Sequence, residues 1–482
     1  MKNKFYITTP IYYVNSKPHI GQAYTTIVAD VLARYYRNKL GEENVYFLTG
    51  TDEHGIKIFE AAEKEGLSPQ KFTNNISREF KKTWQNLNIS NDFFIRTTDK
   101  KHKKIVIDIL EKLKKKDLLY EADYKGLYCV GCEKFLTIND LVDGKCSDHD
   151  REPEELAEKN WFFKLRKFLP EIKKLIDSGE LIIYPEGRKK EVLGLITKQN
   201  LQDFSISRSK KFVPWGIDLP WDQDQKVYVW IDALSNYITA LDYPKGENYK
   251  KFWPADIQLM ALDILKFHTL YWPAICLALD IPLPKALYIH GFFTIDNKKM
   301  SKSLGNIINP NDLVEKYGAD ASKYLILSQF SFGSESNINK DEFLVKYNSD
   351  LVNGLGNLVN RVTNMIEKYL KGNINIEFKE LFFIEEINKK IEELNFRGAL
   401  LDIWKVIQKD NTIIDKEKPW ELFKNNSLEE LNNILQELAL DLYNIGLALQ
   451  SFMPQKSKEI VGIITNKKVI KPEKPLFPRL NN

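Results

Sequence analysis

Residues 4–14 alternate and are rich in aromatic and β-branched types, which predicts a strand. After Gly21 the period changes: Ala23, Ile27, Val28, Val31, Leu32 and Tyr35 fall at helical spacing. The run NVYFLTG, 44–50, reads as the next strand. Strand, helix, strand is the pattern of a parallel nucleotide-binding sheet. At residue 117 the rhythm breaks into short strands and turns that run to 225. Strand and helix alternate again from VYVWIDALSNYITAL through LYIHGFFTI, so the sheet is expected to be split by an insertion. From residue 345 the chain turns helical: Leu351, Leu355, Leu358, Val362, Met365 and Tyr369 step by four and three. Leu431, Leu435, Leu438, Leu442, Ile445 and Leu449 do the same. Such stripes predict a helix bundle.

Composition narrows the class. A chain of 482 residues that is 43% hydrophobic and 12% aromatic has ample material for several cores and is not disordered. Its formal charge of +4 is too mild to require a nucleic-acid partner. Lysines crowd DKKHKKIVIDILEKLKKKD, 99–117, as either a solvated helix face or a phosphate-tracking surface. No run approaches the roughly 18 apolar residues of a membrane span. The opening MKNKFYITTPIYY is strand-like and carries neither a signal core nor a transit composition. A cytoplasmic protein with no membrane contact is expected.

Three of the four cysteines cluster. Cys129, Cys132, Cys146 and His149 read C-x2-C-x13-C-x2-H, a spacing that suits a tetrahedral structural zinc with every position filled by protein. Cys276, in WPAICLALD, is expected to be a buried helix residue.

Two further motifs carry chemistry. In PHIGQ, a glycine at a strand-to-helix turn lets a ligand approach the backbone, and the helix start offers N–H groups to phosphate. His19 and Gln22 add donors there. In DNKKMSKSLGN, 296–306, Lys299 and Lys302 flank small residues in a cationic loop that could close over a triphosphate. By itself each is weak: a packed structural histidine and a lysine-rich surface loop are the favoured explanations of the two taken singly.

Together, in this order, they resemble the two signature motifs of class I aminoacyl-tRNA synthetases. FYITTPIYYVN, FLTGTDEHG, YVWIDAL, KMSKSLGN and KPWELFK narrow the resemblance to methionyl-tRNA synthetases. The resemblance implies an α/β fold: a Rossmann-type parallel sheet split by a zinc-bearing insertion, followed by an α-helical bundle that binds the anticodon. The corresponding boundaries are 1–116 and 226–344 for the two catalytic halves, 117–225 for the insertion with its zinc knuckle, and 345–482 for the bundle.

It also implies ATP-dependent activation of L-methionine and transfer to tRNA(Met). His19, Gln22, Lys299 and Lys302 match the catalytic motifs, and ATP would bind at His19, Gly21, Gln22, Asp263 and Lys302. Asp52 matches the carboxylate that holds the substrate ammonium. Ile11, Tyr13, Trp230, Ala233, Leu234, Tyr237, His268 and Trp272 match the side-chain pocket, whose aromatic walls suit a polarizable thioether. Asn357, Arg361 and Trp420 match the anticodon contacts, although sequence alone favours Trp420 as a core residue. Mg(2+) would accompany ATP, Zn(2+) would be structural, and a monomer is expected.

The chain departs from the pattern twice. The first motif ends in Gln22 where the family has histidine, and an amide cannot become cationic. Ala261 and Leu262 stand where the family usually has glycine and lysine, which predicts a raised Michaelis constant for ATP. These departures leave open an alternative: a catalytically impaired tRNA-binding paralogue of the same fold.

Overall fold

Six parallel strands frame the first of two units in the computed structural model, which describes residues 3–129, 134–136, 141–146, 151–198, 201–291, 293–295, 298–299, 307–329 and 331–481. That unit comprises Met1–Pro18, Glu43–Thr83 and Asn91–His290; the second comprises His19–Glu42, Trp84–Ser90 and Gly291–Asn482. The strands are β1 (Phe5–Tyr13), β2 (Val45–Asp52), β3 (Phe93–Arg96), β4 (Ile182–Tyr184), β5 (Ile257–Ala261) and β6 (Ala286–His290). They pair in the order β3-β2-β1-β5-β6-β4, each with its neighbour in parallel.

β2 is buried along its whole length, as a central parallel strand must be, so it reads as a near-continuous apolar run. Gly50 within it admits no side chain, because a Cβ there would lie 2.2 Å from the carbonyl oxygen of Ile95 on β3. The edge strand β4 comes from inside the stretch 117–225 and is only three residues long, IIY.

The same stretch builds a separate antiparallel sheet, in which Leu119–Cys129 runs against Glu154–Phe163 from Leu119↔Phe163 to Tyr128↔Glu154. One large core covers the parallel sheet, with Leu48, Ile95, Ile109, Leu113, Ile238, Met260 and Ile289 among its buried members. Cys276 is fully buried in the Trp272–Ala278 helix, as expected.

The lysine-rich stretch forms the Lys100–Lys115 helix. It buries Ile105, Val106, Ile109, Leu110 and Leu113. Three lysines of the segment make structural contacts: Lys112 and Lys116 donate to the carbonyls of Leu279 and Ala278, and Lys114 lies 4.4 Å over the Trp221 ring; Lys100, Lys101, Lys104 and Lys115 are exposed.

The second unit is mostly helical. Leu351, Leu355, Leu358, Val362, Leu431, Leu435, Leu438, Leu442, Ile445 and Leu449 are all fully buried and Met365 is buried, so both predicted stripes face the bundle core, except that Tyr369 at the end of the first is half-buried. A π-helical stretch, Tyr347–Gly356, runs directly into the Asn357–Leu370 helix. The Ile20–Leu40 helix is pinned to the Ala319–Leu327 helix by an ion pair, Lys323 Nζ to Asp30 Oδ2 at 2.7 Å, with both side chains wholly buried. Burial pushes the Asp30 carboxyl up, but Lys323, Arg34 and Ser90 hold it below the ordinary range. Among the described residues no helix is long and apolar enough to cross a membrane.

Candidate functional site

In the first unit the predicted site residues gather at the carboxyl ends of β1, β2 and β5, where parallel sheets bind ligands. β1 carries one extra residue between Thr8 and Ile11, where Pro10 has no N–H to give the ladder. Beyond this bulge Tyr13 pairs with Asp52, and the Val14 N–H donates to the Asp52 carbonyl at 3.1 Å. Ile11 and Tyr13 are half-buried against the core. Asp263 is exposed on the turn that follows β5, while Ala261 and Leu262 are half-buried and Leu262 packs on the core.

The Val229–Thr239 helix presents Trp230, Ala233, Leu234 and Tyr237; the next segment contributes His268 and Trp272. Trp230 meets His268 edge-on with ring centroids 6.3 Å apart, and Tyr237 lies 5.7 Å from Trp272. The structure thus brings these aromatic residues together. His268 Nδ1 faces the Ile264 carbonyl at 3.0 Å, and a carbonyl only accepts, so Nδ1 carries the proton. Its Nε2 then accepts from the Tyr237 hydroxyl at 2.7 Å. Burial pushes the His268 pKa down to about 4, which keeps this wall uncharged near neutrality.

Sequence reasoning took Asp52 from the segment DEHG and passed over its neighbours. Glu53 and His54 are as buried as Asp52. Arg96 Nε and Nη2 grip the two Glu53 oxygens at 2.7 and 2.8 Å, and the Glu53 carbonyl accepts from Trp215 Nε1 at 2.6 Å. His54 reaches Asp232, which also meets His102. The signal was present as three consecutive ionisable residues at the end of an apolar strand.

In the second unit His19 caps the Ile20–Leu40 helix. The Gly21 N–H donates to His19 Nδ1 at 3.2 Å, and the His19 N–H donates to Gln22 Oε1 at 3.1 Å, a reciprocal capping box. Because Nδ1 accepts, a neutral His19 carries its proton on Nε2 and can donate from there. The Gln22 oxygen serves the helix cap, and its amide NH2 remains the group that can donate. The Ile20 N–H donates to the Ile308 carbonyl at 3.0 Å, so the helix start is tied to the residues just past KMSKSLGN. The Lys299 backbone pairs with Thr294. Lys302 lies outside the described residues.

Of the expected zinc ligands, Cys129 and Cys146 are both buried and share a small apolar cluster with Leu136. Cys132 and His149 lie outside the described residues. Among the described residues no group of three or more His, Cys, Asp or Glu side chains could hold a metal.

Of the expected anticodon residues, Asn357 is exposed, whereas Arg361 is half-buried and pairs with Asp415 at 2.5 Å. Trp420 is 36% exposed and is not the core residue that sequence alone favoured. On the same short helix it is Phe423 that stacks, 4.6 Å from Tyr369.

Comparison with known proteins agrees with this geometry. The family model of class I tRNA synthetases (M) matches residues 5–151 and 137–363. The methionine–tRNA ligase of Caldanaerobacter subterraneus subsp. tengcongensis is 42% identical over 474 residues, covering 95% of this chain and 74% of the relative. Methionine–tRNA ligase 1 of Bacillus cereus is 40% identical, covering 99% and 78%. Among solved structures, Mycobacterium tuberculosis methionyl-tRNA synthetase in complex with methionyl-adenylate superposes with a TM-score of 0.92 at 31% identity, covering 99% of this chain and all of that one.

Proposed function

The chain belongs to the methionine–tRNA ligases, which are class I tRNA synthetases, and on that premise we propose how its residues divide the work. The likeness to catalytically named relatives favours the ligase over the impaired paralogue. Methionine's ammonium binds the Asp52 carboxylate. Its thioether lies among Ile11, Tyr13, Trp230, Ala233, Leu234, Tyr237, His268 and Trp272. The uncharged His268 wall supports this, since a thioether is only a weak acceptor and gains nothing from a cation.

Methionine's carboxylate oxygen attacks the α-phosphorus of ATP, pyrophosphate leaves, and the acyl group then passes to the terminal ribose of tRNA(Met). No protein nucleophile is needed, so the chain supplies positioning and charge stabilisation. His19 Nε2–H and the lysines Lys299 and Lys302 stabilise the phosphate charge; Gly21 allows close approach, Gln22 holds the cap by its oxygen and offers its amide NH2 to phosphate, and Asp263 takes the ribose. Magnesium enters with the ATP phosphates. Cys129, Cys132, Cys146 and His149 would hold a structural zinc that braces the insertion. Asn357, Arg361 and Trp420 read the anticodon, and the exposure of Trp420 supports that role. We place the protein in the cytoplasm as a monomer.

The observation that supports the phosphate half is the bond from the Ile20 N–H to the Ile308 carbonyl, which ties the start of the helix capped by His19 to a residue two positions past the lysine motif within the second unit. The test is methionine-dependent exchange of pyrophosphate into ATP, with other amino acids as controls, followed by charging of tRNA(Met). Exchange with methionine alone supports the proposal; none with any amino acid, or exchange led by another, overturns it.

A further inference from the structure

Asp232 is a fully buried carboxylate to which the mechanism above assigns no task. Its Oδ2 lies 2.7 Å from His54 Nδ1, and its Oδ1 lies 2.7 Å from His102 Nε2. A carboxylate only accepts, so both facing ring nitrogens carry protons. His102 is held in turn at its other nitrogen, Nδ1, by the Thr239 hydroxyl at 2.7 Å. Three elements therefore meet on one side chain: the segment that continues β2, the Lys100–Lys115 helix, and the Val229–Thr239 helix. Burial would raise the Asp232 pKa, but the two histidines bring it down to about 2, so the group is ionised throughout the working range.

A buried charge of this kind is a poor source of stability. An apolar residue of similar volume often does as well or better, and Ile231 and Leu234 beside it pack in the core with no such apparatus. What the charge supplies is direction. His54 stands two residues after Asp52, and Asp232 stands immediately before Ala233. On the intervening residue, Arg96 fixes the Glu53 side chain and Trp215 its carbonyl. The strand end is thus clamped at both residues that follow Asp52.

We propose that Asp232 is a positioning residue for the amino-acid site: through His54 and His102 it holds the end of β2, and with it Asp52, in register with the helix that carries Ala233, Leu234 and Tyr237. The proposal rests on the reading of Asp52 as the partner of the substrate ammonium. Its task is to keep the distance between ammonium partner and thioether pocket equal to the length of methionine. A misplacement of about 1 Å at a reacting site can cost on the order of a hundredfold.

Asp232→Asn tests this with little change of shape. An asparagine can accept from His54 and donate to His102 Nε2, provided His102 moves its proton to Nδ1 and Thr239 reverses its hydroxyl. The fold is kept and the charge is lost. Binding to the full chain is measured by calorimetry for L-methionine, for methioninol, which keeps the ammonium, and for 4-(methylthio)butanoate, which lacks it. Asp232→Asn is expected to weaken the two ammonium ligands about tenfold, the lower end for a bond to a charged group. The butanoate should change less than about twofold on the same scale. An equal loss for all three ligands, or no loss, overturns the proposal.

Asp52→Asn, measured in parallel, separates the proposal from the reading beneath it. If Asp52→Asn weakens all three alike, the ammonium reading fails and the proposal falls with it. If Asp52→Asn discriminates and Asp232→Asn does not, the positioning role alone fails. Should Asp232→Asn not fold, His54→Ala and His54→Asn give the same information. The asparagine amide can replace the Nδ1–H donor, so it is expected to restore the ammonium ligands that alanine loses; no restoration contradicts the proposal.

Discussion

His268 and His19 are both histidines of a candidate site, and the two units use them in opposite ways. His268 is wholly buried, is fixed at both nitrogens by Ile264 and Tyr237, and has its pKa driven down to about 4. It forms a finished, neutral wall. His19 is half-buried at a helix end, and its Nδ1 accepts from the Gly21 N–H. On the proposed reading its working atom is Nε2, the nitrogen that the cap leaves to carry the proton. The first arrangement suits a ground state, in which an apolar side chain is chosen by shape. The second suits a transition state, in which charge that is absent from the resting molecule must be met as it forms. The proposed function therefore assigns selection of the amino acid and stabilisation of the phosphate to separately built regions, and mutations should separate them.

The largest effect is expected at His19. His19→Ala should slow pyrophosphate exchange about 10²–10³-fold, the usual loss for one donor to a developing oxyanion. Near-normal exchange would break the comparison at its catalytic end. Next comes the support of that helix. Lys323→Met leaves Asp30 buried with Arg34 and Ser90 alone and should cost about 3 kcal/mol in chemical denaturation. An unchanged unfolding midpoint would show that the helix is held in some other way. For Trp420→Ala, loss of one stacked base predicts a KM for tRNA(Met) raised about tenfold in charging. A charging KM equal to that of the wild type would remove Trp420 from the anticodon site.

Smaller effects sharpen the contrast. Gln22→Ala removes half of the capping box and should cost about 1 kcal/mol of stability. A larger loss in exchange rate than in stability would show that the amide also touches phosphate. The pH dependence has a definite sign at His268. Its folded pKa of about 4 lies below the ordinary 6.5, so the unfolded chain binds more protons between those values. Its contribution to stability is complete above pH 6.5 and is lost as the pH falls towards 4. The difference in unfolding free energy between wild type and His268→Asn should shrink across that window, and a difference independent of pH would contradict the neutral wall.

Much of the fold was legible because it is periodic. The leucine stripes at 351–362 and 431–449 all point into the bundle, and strand–helix alternation marked the parallel sheet. The edge strand β4 was not legible, because three residues carry no period. Within the site, the short-range motifs were readable since their residues lie close in sequence. The Asp232 hub was not, because it joins positions 54, 102 and 232, and each of them alone looks like an ordinary polar residue. The cap at Gln22 was not legible for a related reason: a capping box and a ligand contact ask for the same residue type at the same helix position.

The division of labour is tested most directly by calorimetric binding of L-methionine, without ATP, to wild type, His19→Ala and Asp52→Asn. The account predicts that His19→Ala binds methionine as the wild type does, while Asp52→Asn loses at least about tenfold. Equal losses in the two variants, or a loss confined to His19→Ala, would contradict it.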